Sequence, residues 1–170
     1  LSVIREIGPV ITALICAGKI GSSIGAELGS MRVTEQIDAM EVSGTNPFKY
    51  LVVTRVVACT LMLPILVVVA DFISLYASYI GVNFKDVVSI DLYYNKVFDS
   101  LVYGDVLPAI IKTYFFGFAI GIIGCYKGYF SNKGTEGVGI AANSAVVVSS
   151  LVVFILDLIA VQIADIMGLT

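Results

Sequence analysis

Six charged side chains stand in or at the ends of apolar stretches of this sequence: Arg5, Glu6, Lys19, Asp71, Lys112 and Asp157. In hydrocarbon such groups are costly, so they pair with one another and mark functional positions. Two chemistries suit the set. Arg5 and Lys112 can meet a phosphate while Glu6 and Asp157 hold them or gate access; alternatively, the charges form ion pairs that lock a bundle. Asp71 is the least tied to either role. Catalysis is disfavoured, because the chain has no histidine and so lacks the commonest general base and metal ligand. "GSSIG", Gly21 to Gly25, fits the G-x-S-x-G nucleophile pattern. It has no histidine to activate the serine, and it follows an apolar helix-like run rather than a strand. Lys19 follows Gly18, but without the upstream glycine and the Ser or Thr of a phosphate-binding loop, so this chain does not hydrolyse ATP alone. Cys16, Cys59 and Cys125 lie far apart in apolar runs and read as small core residues, not as metal ligands or a disulfide framework. No metal site is expected.

The elements that must position these charges follow from composition. Of 170 residues, 58% are hydrophobic and 14% charged, and the mean hydropathy is +0.98. A soluble domain is nearer half apolar and a quarter charged, so this is a membrane protein. A net charge of -3 offers no basic footprint for nucleic acid. Apolar stretches cover about residues 7–24, 56–80, 106–126 and 138–167, each long enough or nearly so to span a bilayer at about 20 residues. Alternation of period two is absent, and only helices and closed barrels satisfy their backbone in lipid. The expected fold is an all-α polytopic bundle, a single transmembrane domain with about four spanning helices. Three connectors separate them, at about residues 27–55, 81–105 and 127–137.

The first and third connectors hold Arg32, Lys49, Arg55, Lys127 and Lys133; the second holds only Lys85 and Lys96. The positive-inside rule puts the first and third in the cytoplasm and the second outside. A rise of about 1.5 Å per residue then brings Arg5, Glu6, Asp71, Lys112 and Asp157 to similar depth on the outer side. Gly21, Gly25 and Gly29 form a small-residue ladder, as do Gly117 with Gly121 and Gly124 with Gly128, which suits close helix packing.

The first connector contains "ELGSMRVTEQIDAMEVSGTNP", Glu27 to Pro47. Val33, Ile37 and Met40 fall at i, i+4 and i+7 and share a helical face. Glu35, Gln36, Asp38 and Glu41 point elsewhere. Thr34 can serve as N-cap, Gly44 as the C-terminal stop, and Pro47 prevents continuation. This pattern predicts an amphipathic helix of about three turns. Its polar face is acidic, whereas helices that rest on anionic headgroups are basic, so docking onto a protein is favoured over a bland loop on the membrane.

"REIGP", Arg5 to Pro9, and "AGKIGSSIGAELGSMRVTEQIDAMEVSGTNPFKYLVVTRVVA", Ala17 to Ala58, resemble the signature of the MlaE-type permeases, the membrane subunits of MCE-associated ABC lipid transporters. "GYFSNKGTEGVGIAANSAVV", Gly128 to Val147, is similar to that family's second cytoplasmic stretch. The resemblance covers essentially the whole chain. It implies a homodimeric permease that moves phospholipid between the inner membrane and an MCE-domain protein, maintaining outer-membrane lipid asymmetry or supplying lipid. It also implies a separate ABC ATPase that carries ATP and magnesium, and in some systems a small STAS-type regulatory subunit. The MCE protein would touch the second connector. The region from Met31 to Pro47 would be the coupling helix, with Arg32, Val33, Glu35, Gln36, Ile37, Asp38, Met40 and Glu41 engaging the ATPase. The family also carries charges at the positions of Arg5, Glu6, Lys112 and Asp157, which favours lipid binding or gating there. Lys19 departs from the arginine of many relatives, keeping the charge without bidentate geometry. Family members extend further upstream, so a C-terminal part of the permease is expected. The expected location is the bacterial inner membrane, with the chloroplast inner envelope as the alternative. Two other readings stay open: an ion- or proton-coupled secondary transporter using Asp71 and Asp157, and an intramembrane serine enzyme.

Overall fold

The computed structural model describes residues 3–84, 89–100, 103–132 and 134–166. Among these residues the regular structure is helical: α1 (Ile4–Val33), α2 (Gln36–Val42), α3 (Phe48–Asn83), α4 (Ile90–Ser100), α5 (Tyr103–Tyr129) and α6 (Thr135–Ile166). α1, α3, the Val106–Tyr129 part of α5, and α6 are long and apolar enough to cross a membrane. They outrun the apolar stretches of the sequence because a helix continues past the hydrocarbon until a stop signal. Thus α1 reaches Val33 through Glu27 and Arg32, and α3 starts directly after Pro47.

α1 packs on α5 and α6, and α5 packs between α3 and α6. Glycines set how closely these helices approach. A Cβ on Gly117 would lie 2.5 Å from the Cys59 carbonyl oxygen, and one on Gly128 would lie 2.7 Å from Leu28 Cβ. No larger residue fits at either crossing unless a helix moves. Gly25 sits against Ala141 and Ala145, Gly21 faces Ser149, Gly29 faces Ser131, and Gly121 faces Val56. The core divides into two clusters. One joins Ala13, Cys16, Leu63, Val67, Phe116, Ile120 and Val153. The other, at the α2 end, joins Ile24, Leu28, Ile37, Leu51, Val56 and Cys125. Large apolar side chains such as Ile65, Phe72, Phe154 and Leu158 stay exposed on α3 and α6, as expected of faces that meet lipid or another membrane helix.

Two features differ from the sequence expectation. The stretch expected as an outer connector contains helix α4. Its signal was present: Ile90, Tyr93, Tyr94 and Val97 fall at i, i+3, i+4 and i+7, and the Tyr93 ring packs tilted against Tyr79 of α3, centroids 5.5 Å apart. Asp91, Asn95 and Lys96 between these positions hid the stripe. Three wide π-helical turns also interrupt regular geometry, at Val3–Ile7, Ala17–Gly21 and Phe48–Val53. Such turns occur often at functional sites. The first carries Arg5 and Glu6, and the second carries Lys19.

Candidate functional site

At the end of the bundle opposite α2, three helices bring one charge each to a common point. The Lys112 ammonium of α5 donates to Glu6 Oε2 of α1 at 2.6 Å and to Asp157 Oδ1 of α6 at 3.0 Å. Lys112 is 6% exposed, Asp157 20% and Glu6 46% by side chain. The lysine is therefore the enclosed member and Glu6 is the member open to an approaching ligand. Two carboxylates around one lysine leave the trio one negative charge in excess. Arg5, next in sequence and half-buried, is also engaged in an interaction. The cluster is a cation held by two acids, one of which reaches the surface.

Asp71 shares the expected depth but not these ion pairs. It lies on α3, and its Oδ1 is buried with no hydrogen-bond partner among the described residues. It follows Leu63 and Val67 by two turns and one turn on the core-facing side of α3, so it points into the bundle without reaching a partner.

At the other end, α2 is shorter than expected and packed differently. Thr34 is not its N-cap: the Thr34 hydroxyl donates to the Ser30 carbonyl at 2.9 Å, finishing α1. Glu35 stands at the break in a left-handed conformation, φ 58°. Val33 therefore belongs to α1, not to the α2 face. The C-terminus ends in a glycine stop, with Gly44 at φ 77°. There the Gly44 amide donates to Glu41 and the Thr45 amide to Met40, each at 3.0 Å, the paired bonds of a Schellman motif. The apolar stripe of α2 does not face outward. Ile37 is fully buried in the second core cluster, and Met40 packs beside it. Burying an isoleucine is worth about 1.5–3 kcal/mol, so the stripe fastens α2 to its own membrane helices. Arg32 fastens it again through a 2.8 Å ion pair with Asp38, and Tyr129 of α5 lies against Glu41. What α2 offers outward is Glu35, Gln36, Ala39, Glu41 and Val42, the last 90% exposed. Val42 escaped the sequence reading because its neighbours are polar. A further pair escaped it as well: Arg55 of α3 meets Glu27 of α1 at 2.8 Å.

Between α1, α3 and α5 lies an apolar groove of about 230 Å³, lined among others by Cys16, Ile20, Cys59, Met62 and Leu66.

The sequence matches the family described as Permease MlaE over residues 1–163. The chain belongs to the MlaE permease family. A probable ABC transporter permease protein of Rickettsia prowazekii (strain Madrid E) is 46% identical over 155 residues, 91% of this chain and 60% of the relative. One from Synechocystis is 41% identical, over 91% of this chain and 59% of the relative. The chloroplastic protein TRIGALACTOSYLDIACYLGLYCEROL 1 of Arabidopsis thaliana is 37% identical, over 91% of this chain and 44% of its own length. This MlaE-family chain thus spans at most about three-fifths of the length of these relatives. Membership fits the all-helical architecture and the four spanning helices.

Proposed function

We propose that this chain is the membrane subunit of an ABC transporter for phospholipid and that it works as a homodimer. An ATPase on a separate chain docks on the outward face of α2. A lipid passes between the membrane and an MCE-domain protein at the end where Glu6, Lys112 and Asp157 meet, and the α2 end faces the cytoplasm. A small STAS-type subunit can regulate the ATPase. The setting is a bacterial inner membrane, or its counterpart in the chloroplast envelope. The single observation that carries this reading is the pairing of family membership with a short, acidic helix between two spanning helices, anchored to them at two points. A rod so anchored passes a push from an ATPase to α1 and α5 without bending. The triad supports the lipid part: a phosphate approaching exposed Glu6 competes with that carboxylate for Lys112. An exchange of partners of this kind opens and closes the site without leaving a buried charge bare.

The test is transfer of fluorescent phospholipid from proteoliposomes holding the full-length permease and its ATPase to a soluble MCE acceptor. Transfer that requires ATP hydrolysis and falls on Lys112→Met supports the reading. Transfer driven by a proton gradient without ATP refutes it.

A further inference from the structure

Lys19 sits halfway along α1, in the π-helical turn Ala17–Gly21, with its side chain exposed. Its ammonium has no ion-pair or hydrogen-bond partner among the described residues, and the acids of α1 are committed elsewhere: Glu6 to Lys112 and Glu27 to Arg55. The apolar stretch of α1 ends at about residue 24, about 8 Å from Lys19 on the α2 side at ~1.5 Å per residue, near the reach of a lysine stem. The face that bears Lys19 therefore lies just inside the α2-side boundary and meets something negative or wet.

Three observations say what. Below Lys19, exposed Ser23 and Glu27 continue a polar stripe toward the α2 end. Above it, exposed Ile15, Ile11 and Ile7 make the same stripe apolar. Beside it, the apolar groove opens on Cys16 and Ile20, which flank Lys19 in sequence. The space next to Gly18 is also open, with no atom within 4 Å of a Cβ built there. A single cation against an apolar groove is the shape of a site for an anionic amphiphile. The groove is smaller than the ~300–1,000 Å³ of a whole-ligand pocket, so it takes part of one chain.

We propose that Lys19 is a station just inside the α2-side membrane boundary for the phosphate of an anionic phospholipid, one of whose acyl chains lies in the Cys16–Ile20–Met62–Leu66 groove. This rests on the lipid-permease reading above. It adds a second cationic position, roughly 20 Å from Lys112 along α1 at ~1.5 Å per residue, on the route between the α2 end and the Glu6–Lys112–Asp157 cluster.

The experiment uses the full-length permease with its ATPase in phosphatidylcholine nanodiscs carrying a few per cent of phosphatidylglycerol with a diazirine on one acyl chain. Irradiation and peptide mapping are expected to place adducts on Ile20, Met62 and Leu66. Lys19→Gln is expected to lower their yield about tenfold, the loss of one hydrogen bond to a charged group, while Lys19→Arg keeps them. The same diazirine on phosphatidylcholine is expected to be indifferent to Lys19→Gln. Equal adduct yields in wild type and Lys19→Gln overturn the proposal. So does failure of Lys19→Gln to assemble with Lys19→Arg intact, which assigns Lys19 to a carboxylate on another helix. Displacement of the adducts by millimolar inorganic phosphate assigns it to a soluble anion and overturns the lipid station. ATP-driven lipid transfer by the same wild-type discs separates the two failures. Transfer without Lys19-dependent adducts sinks the station alone, and absence of transfer sinks the permease reading with it.

Discussion

Replacing Lys112 by methionine keeps the length and apolar stem of the side chain and removes only the ammonium. Two carboxylate oxygens, Glu6 Oε2 and Asp157 Oδ1, now lie 2.6 and 3.0 Å from that atom. Without it they face each other across a small space, and one of them is four-fifths buried. Removing one partner of a buried ion pair costs about 3–5 kcal/mol. Glu6 is 46% exposed and can turn to water, which screens its share. The lower end, about 3 kcal/mol, is therefore expected for Lys112→Met. The triple variant Lys112→Met, Glu6→Gln, Asp157→Asn leaves no bare charge and should recover to within about 1 kcal/mol of wild type, because neutral replacement of a whole buried ionic group is often harmless. Equilibrium unfolding in mixed micelles reads stability, and lipid transfer is measured on the same preparations. Recovered stability without recovered transfer means that the charges work on the lipid. A loss below about 1 kcal/mol for Lys112→Met alone would place the trio with exposed surface pairs and refute the argument from burial.

Other predictions follow from packing and backbone geometry. Gly117→Ala puts a methyl group against the Cys59 carbonyl and should cost about 1–3 kcal/mol by overpacking, whereas Gly139→Ala meets open space and should be neutral or stabilising by up to about 1 kcal/mol; unfolding midpoints compare the two. Glu35→Gly suits the left-handed break before α2, while Glu35→Val, forced to φ 58°, should lose about 1–2 kcal/mol relative to it. Ile37→Ala should loosen α2 by about 2–5 kcal/mol, read as faster hydrogen exchange over Gln36–Val42 with the spanning helices unchanged.

The four spans were legible because about 20 apolar residues have few other uses. The glycine ladders were legible because spacing of four puts small residues on one face, and Gly25, Gly117 and Gly128 lie at helix crossings. Depth was legible too, since rise per residue sufficed to bring Glu6, Lys112 and Asp157 level. Pairing was not legible: Asp71 shares the core-facing side of α3 with Leu63 and Val67, yet Lys112 binds Glu6 and Asp157 instead. The stripe of Ile37 and Met40 teaches a related lesson: periodicity reveals that a face is buried but not by what. Here the chain's own core takes it, and the outward face of α2 is read only once that core is known. The π-helical turns left no local signal, because wide turns depend on how neighbouring helices pack.

On the proposed function, a separate ATPase grips this permease at the outward face of α2. The most direct measurement is co-purification of that ATPase in mild detergent with full-length wild-type bait and with the double variant Ala39→Arg, Val42→Arg. Both residues are exposed on α2 and away from Ile37; Val42 stands one turn from Asp38, so hydrogen exchange over Gln36–Val42 checks that α2 stays anchored. An ABC-type ATPase should arrive with the wild type and be lost with the double variant, while the permease stays folded and assembled. An ATPase that stays bound to the double variant, or that never arrives with intact wild-type bait, would contradict it.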